Sequence, residues 1–162
     1  MIDHTVEQVE EVRKLARDRE FPNNTYKYKD KTIDWYVGTP DLNKDIPAYV
    51  GRWTNDETKK YVLLISSAVP KAIHPYLALS EYIEFIEIGV NVPGRVLEAE
   101  KRILKLVPNH FVPTYLAFKV KLYETELTLN KTDPKTYALD EFDIEQFTQT
   151  KDFLKQILSG FE

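Results

Sequence analysis

Residues 61–89, YVLLISSAVPKAIHPYLALSEYIEFIEIG, constrain the fold more than any other part of the chain. Residues 61–65 are a continuous apolar run of strand length, Pro70 breaks it, and the residues after Pro75 recur with helical spacing. The spacing predicts a helix over residues 75–88, because proline is tolerated in a first turn and Gly89 suits the position just past a helix end. Projected at about 100° per residue, Ala78, Leu79, Tyr82, Ile83, Phe85 and Ile86 fall on one broad side. Ser80, Glu84 and Glu87 line the other, with Glu81 at its flank near Leu77 and Ile88, the pattern of a helix with a wet acidic face.

The pattern before this unit has a period of two. Tyr26 to Tyr28 and Ile33 to Val37 alternate with lysines and Asp34, as half-buried strands do, and residues 48–53 read as a further strand. Residues 5–19 read as a helix opened by the capping pair Thr5 and Gln8 and stopped by Phe21-Pro22-Asn23-Asn24. After the unit the pattern is helical. A helix over 93–107 opens with Pro93, and another over 113–129 carries Leu116, Val120, Tyr123 and Leu127 on one face. A last helix over 143–158 has Asp143 and Gln146 as its capping pair and Phe147, Leu154, Ile157 and Leu158 as its inner face.

Strands gathered first and helices after predict an α+β fold. The expected architecture is a short antiparallel meander of three to four strands over about residues 25–67, packed with an N-terminal helix and four C-terminal helices. At 162 residues the chain can bury its own core as one domain, and the linker at 130–135 is short enough to lie inside it.

Composition narrows the function classes. The 22 Lys and Arg against 26 Asp and Glu give a formal charge of −4, which argues against a dedicated nucleic-acid binder. The absence of cysteine removes disulfides, thiolate nucleophiles and Cys-ligated zinc. The first fifteen residues are charged and lack a signal-like apolar core, and no apolar run is long enough to cross a bilayer, so a cytoplasmic, membrane-free setting is expected. No Gly-x-Ser-x-Gly elbow surrounds Ser66-Ser67, and the five glycines form no phosphate-cradling loop. Trp35, Tyr36, Tyr49 and Trp53 sit in the strand half, either as sheet core or as an aromatic patch for a protein partner.

One stretch carries a chemical expectation. The strand followed by a helix with Ser80-Glu81-Tyr82-Ile83-Glu84 resembles the strand and active-site helix of zincin-type metallopeptidases over about 29 residues. In that motif two imidazoles one turn apart bind zinc and the glutamate between them activates the metal-bound water. The resemblance implies Glu81 as the catalytic base, Glu84 as a metal ligand, and Glu87 and His74 as further zinc ligands, while Ser80 stands where the first histidine belongs. Glu98 and Glu100 are alternatives to Glu87 as the further carboxylate, and the spacing does not select among the three. Two function classes follow: a small soluble non-catalytic interaction or regulatory protein with a protein partner, or a zincin-like metal-dependent hydrolase or inactive relative of one.

Overall fold

The computed structural model describes residues 24–38, 50–54, 61–89, 91–135 and 137–161. The helix expected over 5–19 lies outside them. The described residues fall into two compact units, one ending at Glu81 and the other beginning at Tyr82.

The first unit is built on a four-stranded sheet. Strand β1 (Asn24–Tyr28) pairs antiparallel with β2 (Lys31–Gly38), placing Tyr26 opposite Ile33 and Asn24 opposite Trp35. Lys29 takes a left-handed φ of 56° in the two-residue turn between them. Along β2, Ile33 and Trp35 are buried while Lys31, Thr32 and Asp34 are exposed, so the expected alternation holds and Trp35 belongs to the core.

The remaining strands overturn the meander. Strand β4 (Tyr61–Ser66) lies between β2 and β3 (Val50–Thr54), parallel to β2 and antiparallel to β3, giving the order β1-β2-β4-β3. The physical reason is the character of the two runs. A nearly continuous apolar strand suits a central place between two neighbours, whereas β3, with Gly51 and Arg52 among its five residues, takes the edge.

After β4 a single 3₁₀ turn (Lys71–Ile73) leads into α1 (His74–Tyr82), with Pro75 in its first turn as predicted. The ring of Tyr76 meets that of Tyr26 edge-on, with centroids 5.9 Å apart. From Ile83 the helix widens into a π segment (Ile83–Gly89), which Gly89 closes with a φ of 104°.

The second unit continues with α2 (Arg95–Leu104), α3 (Val112–Thr132) and α4 (Glu141–Ser159). The three helices expected over 93–107, 113–129 and 143–158 are present, but α2 is capped by Gly94, which leaves Pro93 outside it, and the start of α4 also differs from expectation. Its cap is Asp140, whose Oδ1 accepts the Asp143 backbone N–H at 2.7 Å, so Asp143 lies inside the first turn. Val96, Leu116, Val120, Tyr123, Phe147 and Leu154 form the core of this unit, and Leu127, Ile157 and Leu158 pack against it. The inner faces read from the spacing of α3 and α4 are therefore the observed ones. None of the helices among the described residues is long and apolar enough to cross a membrane.

Two substitutions probe this arrangement. Leu154→Ala is expected to lower the free energy of unfolding in urea by about 2–5 kcal/mol, because Leu154 is fully buried. Gly89→Ala is expected to cost about 1–2 kcal/mol through its φ, since a β-carbon there would meet only Val92 Cγ2 at an ordinary 4.0 Å. An unchanged urea midpoint for Gly89→Ala would contradict the backbone argument.

Candidate functional site: a buried charged cluster in the helical unit

Helix α2 buries Val96, Ala99, Glu100 and Ile103, spacing that puts Glu100 on the same inward face as three apolar residues. Helix α3 presents Tyr115, Lys119 and Tyr123 at successive intervals of four, which stacks them in one stripe. The stripe converges on the Glu100 carboxylate. Tyr115 donates its hydroxyl to Oε2 at 2.8 Å, Tyr123 donates to Oε1 at 3.0 Å, and the Lys119 ammonium lies 2.9 Å from Oε1. The Glu100 side chain is 1% exposed and that of Lys119 5%. Lys119 Nζ also sits 5.3 Å from the centre of the Tyr123 ring.

The electrostatics follow from burial. A carboxylate removed from water is tolerated only when a cation and hydrogen-bond donors replace the lost hydration, and Glu100 has one of the first and two of the second. Tyr123 is held well above its ordinary ionisation range, chiefly because it is buried and then because the negative charges of Glu100 and Glu84 oppose a phenolate.

A second group lies where the π segment, α2 and α4 meet. Arg95 Nε is 3.4 Å from Glu84 Oε1, its Nη2 is 4.0 Å from Asp143 Oδ1, and its guanidinium carbon is 5.8 Å from the centre of the Phe85 ring. Val96 donates its backbone N–H to Gln146 Oε1 at 3.4 Å, a second tie between α2 and α4. Farther along, Arg102 reaches Glu87 at 3.8 Å and Glu98 at 3.1 Å on a more exposed surface.

The residues singled out from the sequence lie along α1 and the π segment that continues it. Glu84 pairs with Arg95 and the half-buried Glu87 with Arg102. Glu81 is buried in α1. His74 is buried at the start of the same helix, where its Nε2 lies 2.8 Å from the carbonyl oxygen of Val69. A carbonyl can only accept, so this contact makes Nε2 the protonated nitrogen of the neutral ring. Among the described residues, no group of three or more His, Asp or Glu side chains is placed to hold a metal ion.

The wet acidic face is also corrected. Ser80, Glu81 and Glu84 are buried, whereas Ile86, from the apolar side of the projection, is 37% exposed. Two causes combine. Seven of the nine residues of α1 are buried, so that helix has no wet face to assign. Beyond Tyr82 the i→i+5 turns advance fewer degrees per residue than an α-helix, and the projected faces drift.

Arg95, Tyr115, Lys119 and Tyr123 were not singled out from the sequence as site residues. One signal in the sequence points to the last three: a lysine midway between two tyrosines on the stripe beside Leu116 and Val120 marks a charge set on an apolar face. What the cluster does chemically is neutralise a buried carboxylate and fix α2 against α3. No protein-family model, no curated protein and no solved structure matches this chain.

Replacing one partner should be far worse than replacing both. Lys119→Met is expected to destabilise the protein by about 3–5 kcal/mol in urea unfolding, because the Glu100 charge stays buried without its cation. Adding Glu100→Leu to that variant should recover much of the loss, and a double variant no more stable than Lys119→Met would argue against the pair. The histidine gives a pH dependence. Burial lowers the pKa of His74 from the ordinary 6.5, outweighing the opposing effect of the Val69 carbonyl, with Lys71 adding to the lowering. Below pH 6.5 the unfolded chain therefore binds a proton that the folded one refuses. Its stabilising contribution is complete above pH 6.5 and shrinks as the pH falls through that value toward the lowered one. His74→Gln should flatten that slope in urea midpoints measured across the range.

Proposed function

We propose that this chain is a non-catalytic interaction or regulatory protein that works by contacting a protein partner. The observation that carries the reading is the way charged and apolar side chains are distributed over the helical unit. Glu84, Glu87 and Glu100 are each engaged by a cation of the same unit, Arg95, Arg102 and Lys119 respectively. By contrast Ile86, Val92, Leu106, Phe142 and Phe161 are each more than a third exposed. Phe142 is the most telling of these, since its neighbour Asp143 reaches Arg95 and the ring stands 45% exposed on the first turn of α4. Exposed aromatic side chains on a firmly tied helix end are the material of protein interfaces. A cytoplasmic setting belongs to the same reading and rests on composition rather than geometry.

The zincin-like reading makes the opposite demand, that Glu81, Glu84, Glu87 and His74 serve a metal and its bound water. Two measurements separate the readings. Protein purified without a histidine tag and incubated with zinc should retain less than stoichiometric metal. Stoichiometric zinc that disappears in Glu84→Ala would overturn the non-catalytic reading. In parallel, a Val92→Asp/Phe142→Asp variant should melt at the wild-type temperature and lose a crosslinked partner that wild type captures in the cells that make the protein. Identical crosslinking by the two proteins would count against these side chains as the contact surface.

A further inference from the structure

We draw no further inference here: the strongest candidate, the exposed apolar side chains Ile86, Val92 and Phe142 on the helical unit, belongs to the surface already proposed for partner contact, and nothing in the structure shows what covers it.

Discussion

A carboxylate with almost no contact with solvent must find its compensation inside the protein, and Glu100 finds it on a single neighbouring helix. Lys119 supplies the charge, and Tyr115 and Tyr123 supply hydroxyl donors one turn to either side. The three groups span two turns of α3, so a slip of α2 along α3 by one residue would break several contacts at once. Apolar residues alone tolerate such slips better, because dispersion and burial are not directional. The cluster is therefore a registration device first, and its contribution to net stability is secondary: an apolar pair of similar volume is often as stable. Around it, Val96, Leu116, Val120 and Phe147 supply the burial that makes any error in that register expensive.

The second constraint is the passage from α1 into the π segment. An α-helix continued through Gly89 would rotate Glu84 and Glu87 to other positions relative to α2. The wider turns instead leave one carboxylate with Arg95 and the other with Arg102, and these two arginines are anchored on the same helix. Arg95 also touches α4 through Asp143, which makes it the side chain common to three elements of the unit. Such wide turns are uncommon, and here the paired charges give this one a reason to persist.

The features legible in the sequence were those set by near neighbours. The apolar spacing of Leu116, Val120, Tyr123 and Leu127 marks the inner face of α3, and the alternation around Ile33 and Trp35 marks β2 as a half-buried strand, though only the structure shows which side is buried. Three things were not legible, each for a physical reason. The place of β4 depends on which strand edges remain open, a property of the assembled sheet and not of residues 61–66 themselves. The π turn reflects contacts with α2 that lie beyond any local window. Glu100 meets Tyr115 and Tyr123 across separations of 15 and 23 residues, so the sequence offers it only as a candidate carboxylate and does not show the partners it meets. The capping of α4 failed more narrowly, since Asp140 and Asp143 are both good capping residues and only geometry chooses between them.

The strand order also bears on how the sheet can come together as the chain is made. β3 follows β2 in the chain but is separated from it in the sheet by β4, so the two cannot zip up as a hairpin when β3 emerges. Among the described strands, until residues 61–66 are available β2 has a partner only on its β1 side and β3 has none. In terms of the described strands, that side of β2 waits for β4 for its native partner, and an open strand edge can accept a strand from another chain. Closure comes in one step, when β4 enters and satisfies two edges together.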